Sequence, residues 1–395
     1  MKKLIMGLAL AANISVFAQP TIEIGLLLDS SGSMGGLINK TRNTLWEVLN
    51  ILDDTHKNGE IPKVSLGIYS YGNGVSPDAQ DEIVMISNLT TDHDSLSLKF
   101  FELGATGSLE LAGKTISKSV KEFNWTEEGD FKALFLAGNE TLKQGEVSVE
   151  SASELTLDND IFLNTIYAND SYISGPSKIP SFGASTRAPL RKIPVGNSSR
   201  GQFNQEDIIK EEWNNLAVLS GGSFAHISNN EVLAHIDTPY DSKLLELDQE
   251  LNKTFVYFGK FGHSSYQQMI NLDSQIGNSS SSAMVSRGRY KVGHGYSVKK
   301  WDLVEAYFEG SINISDVDKK TLQKDLQGLN DIDLIMYLTK MKKLRKDIKD
   351  ETKELYKKHK EYVDKKRLEM GKKTIEMVMI DSLKAQLSEK GFDFK

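Results

Sequence analysis

TIEIGLLLDSSGSM, residues Thr21–Met34, is an apolar run that ends in a polar turn. A short apolar run bounded by turn residues predicts a buried strand. This strand would deliver the carboxylate of Asp29 at its carboxyl end, and the turn after it would present the hydroxyls of Ser31 and Ser33. Hard oxygen ligands of this kind suit magnesium, calcium or manganese rather than zinc or copper.

Strand-like and helical segments alternate from this run to about Ile227. The further strands that we predict are Val64–Tyr71, Ile83–Ile86, Phe131–Ala137, Ile161–Tyr167 and Ser223–Ile227. The helices that we predict are Leu37–Asp53, a segment between Leu109 and Phe123, and Glu206–Leu219. This alternation predicts an α/β fold with a doubly wound, mostly parallel sheet that has helices on both faces. Ligands of such sheets bind at the carboxyl ends of the strands.

Four segments resemble, in order, the von Willebrand factor A (VWA) domain. IEIGLLLDSSGSM resembles its first strand and its metal-ion-dependent adhesion site (MIDAS). Leu89–Asp92, followed by Gly104–Gly107, resembles the loop that supplies a threonine ligand. Phe131–Ala137 is similar to the strand before the third motif, and Leu216–Ile227 to the last helix-to-strand passage. The resemblance implies a Rossmann-like VWA fold, and short stretches such as AGNE look like an exported bacterial subgroup.

The resemblance also implies a metal site made of Asp29, Ser31, Ser33 and Thr106. The three hydroxyls would contact the cation, whereas Asp29 would act mainly through bound water and by holding the serines. Magnesium is the expected cation, with calcium or manganese as alternatives. Because neutral hydroxyls leave much of the cation's charge uncompensated, the cation would attract a carboxylate from a protein partner.

The third loop departs from the family pattern, in which an aspartate is common. Ala137-Gly138-Asn139-Glu140 places a glycine, Gly138, at that position. Asn139 or Glu140 is the candidate substitute, acting on the cation through water. Two alternatives stay open at this point: a site that binds metal, and a VWA fold whose site is vestigial.

A stretch rich in Gly, Pro and Ser, residues 171–203, interrupts the alternation and contains no Asp or Glu. Because it follows a strand and precedes a helix, it would emerge at the same edge of the sheet as Asp29. A mobile surface loop is one interpretation, and a basic partner-binding loop is the other. Its basic residues are Lys178, Arg187, Arg191, Lys192 and Arg200.

Residues 1–18 have the features of a secretory signal peptide. Lys2 and Lys3 precede an apolar run, and Val16-Phe17-Ala18 offers a cleavage site. No later stretch has the ~20 apolar residues that a membrane span needs. We therefore expect an exported protein, periplasmic or secreted, without a transmembrane segment in its mature chain. The absence of cysteine excludes disulfides and thiolate metal sites, and the net charge of −7 does not favour a nucleic-acid partner.

The chain after the predicted VWA domain, residues 19–237, has a different composition. We expect a mixed helical and linker region at 238–331, in which Asn278–Ser282 is a Ser-rich link. At 332–395 we expect a long charged helix and, after a break at Gly371, a returning amphipathic helix. In the first helix, apolar residues recur every seven positions, but their companions are polar: Arg345, Thr352 and His359. A coiled coil needs both seams apolar, so we expect this helix to dock on its own domain or to fold back.

These features predict a non-enzymatic binding protein that uses a MIDAS to engage an acidic group of a partner. The alternative is an envelope scaffold with a vestigial site, whose basic C-terminal helices bind an anionic surface or a partner protein. Residues 340–373 contain 15 Lys and Arg against 7 Asp and Glu. An enzyme is not expected because no nucleophile or acid/base set emerges, and Gly107 to Gly113-Lys114-Thr115 has the wrong spacing for a phosphate-binding loop.

Overall fold

The structure is a computed structural model that describes residues 19–72, 83–105, 111–169, 205–227, 236–370 and 375–394. The predicted signal peptide, Thr106 and the basic stretch 171–203 lie outside the described residues, so the predictions made for them stay predictions.

The strands and helices of the described residues follow the predicted alternation closely. The strands are β1 Thr21–Asp29, β2 Thr55–His56, β3 Lys63–Tyr71, β4 Ile83–Thr90, β5 Phe131–Gly138, β6 Phe162–Ala168, β7 Phe224–Ile227 and β8 Asp393–Phe394. The first five helices are α1 Gly35–Asp53, α2 His93–Glu102, α3 Ala112–Glu122, α4 Val149–Asp158 and α5 Gln205–Leu219. The later helices are α6 Asp241–Asn252, α7 Gly262–Ser279, α8 Ser281–Lys291, α9 Leu303–Phe308, α10 Asp331–Met370 and α11 Ile375–Glu389.

Six of the described strands form one sheet in the order β4-β3-β1-β5-β6-β7. Neighbouring strands are parallel except β3 and β4, which are antiparallel. This confirms the predicted doubly wound, mostly parallel sheet. The strand order reverses at β1, which pairs with β3 on one side and with β5 on the other. Asp29, the last residue of β1, therefore lies at the switch point where such sheets bind ligands.

Both faces of the sheet are buried. One face packs on α1 and α2 around residues such as Trp46 and Phe100, and the other packs on α3, α4 and α5. On this second face the ring of Phe123 lies directly on two glycines of neighbouring strands. An added Cβ would lie 2.6 Å from the ring at Gly25 and 2.7 Å from it at Gly67. Glycine in these strands therefore makes room for an aromatic side chain.

The end of the chain returns to the sheet after the long helical region. Met379, Leu383 and Leu387 of α11 belong to the same hydrophobic core as Ile22 of β1. β8 then pairs antiparallel with β2, the short strand that follows α1. Residues 375–394 thus cover part of the first sheet face. The division of the chain at 237 and 331 stays a prediction.

The long helix α10 docks through both of its heptad seams. Leu334, Leu338 and Met341 pack with apolar residues of α9 and its surroundings. The polar companion Arg345 is buried as well, because its Nη1 donates to Asp302 Oδ2 at 2.7 Å and its Nη2 donates to the carbonyl of Thr254 at 2.8 Å. A buried charge of this kind needs a matching partner, which Asp302 supplies from a distant part of the chain.

The predicted Ser-rich link at Asn278–Ser282 is wrong. α7 continues to Ser279, and α8 begins at Ser281. Ser280 lies between them, and its hydroxyl accepts a hydrogen bond from the backbone N–H of Ala283 at 3.2 Å. Serine is a preferred residue at the N-cap of a helix. A Ser-rich segment, which is typical of a link, therefore begins a new helix here. No helix in the described ranges combines the length and the apolar character that crossing a membrane requires.

Candidate metal-binding site

The side chain of Asp29 is fully buried at the carboxyl end of β1. Its Oδ1 accepts a hydrogen bond from the backbone N–H of Ser31 at 2.7 Å. This is the contact by which a short acidic side chain organises the turn that follows it. The carboxylate therefore orders the segment that carries the two predicted hydroxyl ligands.

Ser30 anchors the same turn to β3. Its backbone N–H donates to the carbonyl of Tyr71 at 2.8 Å, and its hydroxyl donates to the same carbonyl at 2.9 Å. The hydroxyls of Ser30 and Ser70 are also 2.8 Å apart. Ser30 is not among the predicted ligands, because it occupies the variable position between Asp29 and Ser31. Only the pairing of β1 with β3 shows that this position holds the turn in place.

Ser31 and Ser33 present their hydroxyls on the same side of the turn. Their Oγ atoms are 3.4 Å apart, with Ser31 nearly buried and Ser33 exposed. Ser31 precedes a single 3-10 turn, Gly32–Met34, which contains Ser33 and leads directly into α1 at Gly35. The structure therefore brings together the three residues that the sequence predicts from the Asp29 motif.

The third loop contributes Asn139 to this site. Its Nδ2 donates to Ser33 Oγ at 2.9 Å, while its Oδ1 is buried and has no hydrogen-bond partner within the described residues. Glu140 has an exposed side chain, and its backbone carbonyl accepts from the indole N–H of Trp213 at 2.8 Å. Of the two candidates for the missing aspartate, Asn139 is the one whose side chain contacts a predicted ligand.

The position of the missing aspartate is closed by packing. A Cβ on Gly138 would lie 2.7 Å from the Tyr71 hydroxyl, 3.0 Å from Trp213 and 3.1 Å from the Asp29 Cβ. The Tyr71 hydroxyl reaches across the end of β1 and donates to the carbonyl of Ala137 at 3.0 Å. No side chain fits at this point, which is the physical reason for the glycine.

Gly72 lines the other side of the carboxylate. It has a positive φ of +74°, and a Cβ on it would lie 3.1 Å from Asp29 Oδ1 and 3.3 Å from the Ser31 nitrogen. A positive φ favours glycine over every other residue. The backbone after β3 thus approaches Asp29 as closely as it does because no side chain stands between them.

The second loop reaches the site at the edge of the described residues. A Cβ on Gly35, the first residue of α1, would lie 3.8 Å from the Cβ of Ala105. Thr106, the predicted third hydroxyl ligand, follows Ala105 directly in the sequence. The described part of this loop therefore lies against the turn that carries Ser33.

The donor set is oxygen-rich and poor in charge. Within the described ranges, no three His, Cys, Asp or Glu side chains cluster in a way that could hold a metal. The atoms that come together are the Asp29 carboxylate, the hydroxyls of Ser31 and Ser33, and the amide of Asn139. Such donors fit a hard divalent cation, which takes carboxylate, hydroxyl and amide oxygens.

No protein-family model matches this chain, and no curated protein matches it. Among solved structures, the chain is similar to BatB, a conserved hypothetical protein from Bacteroides thetaiotaomicron, with 12% identity over 64% of this chain and 99% of that one, at a TM-score of 0.33. A von Willebrand factor type A protein from Catenulispora acidiphila is 11% identical over 53% of this chain and 39% of its own, at a TM-score of 0.33. Proximal thread matrix protein 1 from the mussel byssus, with a zinc-occupied MIDAS motif, is 11% identical over 54% and 43%, at 0.34.

Two features of the sheet define the fold of this chain. The sheet reverses its strand order at β1, and the Asp29 motif follows β1 at the carboxyl edge. Both features are those that the resemblance of the sequence predicts. The chain has a VWA-like fold followed by a helical C-terminal region.

Proposed function

We propose that this chain is an exported, non-enzymatic binding protein that holds a divalent cation at Asp29, Ser31, Ser33 and Thr106 and uses it to engage a carboxylate on a protein partner. The observation that carries the proposal is the turn after β1. There Asp29 orders the backbone of Ser31, and the Ser31 and Ser33 hydroxyls lie 3.4 Å apart on one side.

The chemistry of the donors supports magnesium as the cation, with calcium or manganese as alternatives. Asn139 adds an amide whose Nδ2 donates to Ser33 Oγ and whose Oδ1 is buried and has no hydrogen-bond partner within the described residues. An amide oxygen is a ligand that these cations accept, directly or through water. We therefore infer that Asn139 takes the role that an aspartate has in other VWA domains, from a position one residue further along the chain.

The low charge of the site supports an acidic partner. Among the four described side chains that come together, Asp29 is the one with a carboxylate, so a bound divalent cation would retain a net positive charge. α1 also begins two residues after Ser33, and the N-terminus of a helix favours an anion. Both effects would favour a carboxylate from the partner, and the basic residues of the 171–203 stretch would add to them.

The cation is tested by calorimetric titration of the purified protein with magnesium, calcium, manganese and zinc. Asp29→Asn is the informative variant, because the amide oxygen can still accept from the Ser31 N–H while the charge is lost. We expect wild type to bind at least one cation, Asp29→Asn to lose detectable binding, and Ser33→Ala and Asn139→Ala to bind more weakly.

Asp158→Asn is the matched control, since Asp158 is an exposed carboxylate at the end of α4. It should bind the cation as wild type does. Equal and negligible heats for wild type and Asp29→Asn would refute the cation proposal. Binding that survives in Asp29→Asn would place the cation elsewhere.

The partner is tested by affinity capture from the organism's envelope fraction, once with the preferred cation and once with a chelator. A partner that presents a carboxylate should be captured by wild type with the cation, and not by Asp29→Asn. Capture that is equal under all conditions would show that the surface binds its partner without the site.

The envelope-scaffold alternative stays a prediction. Several exposed lysines of α10 form ion pairs along the helix, which reduces the charge they offer to an anionic surface: Lys346–Asp350, Lys360–Asp364 and Lys366–Glu369. Deleting the chain from residue 332 would not test this alternative cleanly, because it also removes α11 from the core of the sheet.

A further inference from the structure

One stripe of the long helix α10 is apolar and basic and faces solvent. Ile332 and Met336 are 72% and 65% exposed. Lys340 and Lys343 follow at spacings of four and three residues, so all four side chains lie on the same side of the helix. Both lysines are exposed, and neither belongs to an ion pair within the described residues. We call these four residues the α10 stripe.

A second exposed surface, on α4 and α5, combines apolar residues with the opposite charge. The two helices pack side by side on the second face of the sheet. Leu157, Ile208 and Val218 are 47%, 45% and 54% exposed there. The same helices carry exposed carboxylates that belong to no ion pair in the described ranges: Glu150, Glu154, Asp158, Asp207 and Glu211. We call these eight residues the α4–α5 surface.

The exposed apolar side chains concentrate on these helices. Nine large apolar side chains are exposed among the residues that the structure describes, of which four lie on α10 and three on α4 and α5. Apolar side chains that gather among polar ones mark an interaction site, and surfaces of opposite charge attract one another. The α10 stripe and the α4–α5 surface are therefore complementary in both respects.

The two surfaces lie on opposite sides of the sheet. α4 and α5 cover the second face, whereas α10 packs on α6, α8 and α9. α8 in turn packs on α1, which covers the first face. The α10 stripe therefore cannot reach the α4–α5 surface of its own chain, but it can reach that of a second copy.

We propose that copies of this protein associate head to tail, with the α10 stripe of one copy on the α4–α5 surface of the next. The lysines pair with carboxylates of the neighbouring copy, and the apolar side chains of both surfaces are buried between the two. A contact between two different surfaces leaves one of each unused at the ends, so further copies add until a ring closes or a filament forms. The contact uses no residue of the metal site and does not depend on the proposed function.

Sedimentation velocity of the purified protein at increasing concentration tests the association. We expect monomers at low concentration and species larger than a dimer as the concentration rises. High salt should reverse the association, because it screens pairs of exposed charges. Wild type that remains monomeric at every concentration in low salt would overturn the proposal.

Charge reversal on each surface tests which residues make the contact. Lys340→Glu with Lys343→Glu makes the α10 stripe acidic, and Glu154→Lys with Asp158→Lys makes α4 basic. All four side chains are exposed, so thermal unfolding of both double variants should match that of wild type. Each double variant alone should sediment as a monomer. An equimolar mixture should associate again, because the acidic stripe of one variant then meets the basic helix of the other, and a mixture that stays monomeric would refute this pairing of surfaces.

Lys63→Glu with Lys99→Glu is the matched control. Both lysines are exposed, but they lie on β3 and α2, outside the two surfaces. This double variant has the same net charge as the α10 variant and should associate as wild type does. Loss of association in the control would mean that net charge rather than the α10 stripe governs it, which contradicts the proposal. Wild type that stays monomeric but binds vesicles of anionic lipid would assign the stripe to a lipid surface instead.

Discussion

A buried aspartate lies near each end of α1, and the two carboxylates have different surroundings. At the first end, Asp29 contacts the backbone N–H of Ser31, and the glycines Gly72 and Gly138 lie beside it. At the other end, Asp53 is buried among donors from the helical C-terminal region. Its Oδ2 lies 3.5 Å from the Arg289 guanidinium.

The second arrangement belongs to a larger buried group, which we call the α8 ion cluster. Arg287 is fully buried, pairs with Asp94 at 2.6 Å and lies 4.4 Å from the ring centre of Trp46. Lys291 pairs at 2.7 Å with both Asp248 and Asp273. The members of the α8 ion cluster are Asp53, Asp94, Asp248, Asp273, Arg287, Arg289 and Lys291.

The carboxylates of the α8 ion cluster are neutralised by cations of the protein itself and stabilise the fold, whereas Asp29 lies at a proposed binding site. Burial alone would raise the pKa of Asp273, but the charges of Lys291 and Arg287 hold it below its ordinary value, so the carboxylate stays ionised inside the protein. The α8 ion cluster thus joins α8 to α1, α2, α6 and α7 with charges from the protein itself. The turn after β1, at the start of α1, instead presents oxygen atoms that could bind a cation from solution.

The largest expected effect comes from breaking the α8 ion cluster. Arg287→Met would remove the buried cation that pairs with Asp94 and Asp273, although Asp94 would keep its hydrogen bond from the Tyr296 hydroxyl. Removing one member of a buried pair costs about 3–5 kcal/mol. We expect this loss in the free energy of unfolding, measured by urea denaturation. Cation affinity should not change. A loss below ~1 kcal/mol would show that the cluster contributes little to holding α8 on α1.

A pH effect next to the same cluster should be slightly smaller. Burial lowers the pKa of His93 to about 4 from its ordinary value of 6.5, and its Nδ1 lies 2.6 Å from the Tyr290 hydroxyl. Because the unfolded chain takes up the proton first, stability is complete above pH 6.5 and is lost as the pH falls towards 4. The contribution is on the order of 3 kcal/mol.

His93→Gln is the comparison for this effect, since glutamine does not titrate. The free energy of unfolding of wild type should fall more steeply than that of the variant between pH 6.5 and pH 4. Carboxylates titrate in both proteins, so the difference between the two slopes isolates the histidine. Parallel curves would mean that His93 is not buried as a neutral ring.

A substitution beside Asp29 should lower the free energy of unfolding by less. Gly138→Ala would place a methyl group 2.7 Å from the Tyr71 hydroxyl and 3.1 Å from the Asp29 Cβ. Overpacking of this kind costs about 1–3 kcal/mol, and it should also weaken cation binding by displacing Asp29. Gly32→Ala is the control, because nothing lies within 4 Å of the added Cβ. Thermal unfolding and cation titration of both variants measure the contrast.

The smallest effect is expected at an exposed ion pair. Lys346 and Asp350 are 2.6 Å apart on α10, but both side chains are largely exposed. Solvent screens such a pair and the two side chains lose freedom when it forms, so Lys346→Met should not measurably change the urea midpoint. A clear shift of the midpoint would show that the exposed ion pairs of α10 contribute to stability as the buried pairs of the α8 ion cluster do.

The sequence by itself predicted the sheet and the first part of the site. β1 and the motif after it are encoded by neighbouring residues: an apolar run, then Asp29, Ser31 and Ser33. The parallel order also follows from the alternation of strands and helices, and the structure confirms it. Local patterns of this kind are visible in the sequence because the residues that interact are close together in the chain.

Only the tertiary structure decided which polar residues belong to the core. In the sequence Arg287 looks like an ordinary surface residue, Arg345 is a polar residue at a heptad position, and Asn139 is one of two candidates in the third loop. Each is placed by a partner far along the chain: Asp94 for Arg287, Asp302 for Arg345, and Ser33 for Asn139. A buried polar group is stable only where a partner meets it, and no local pattern records where that partner comes from. The same holds for α11, whose apolar residues join the core beside α1 and β7 only after the chain has returned to the sheet.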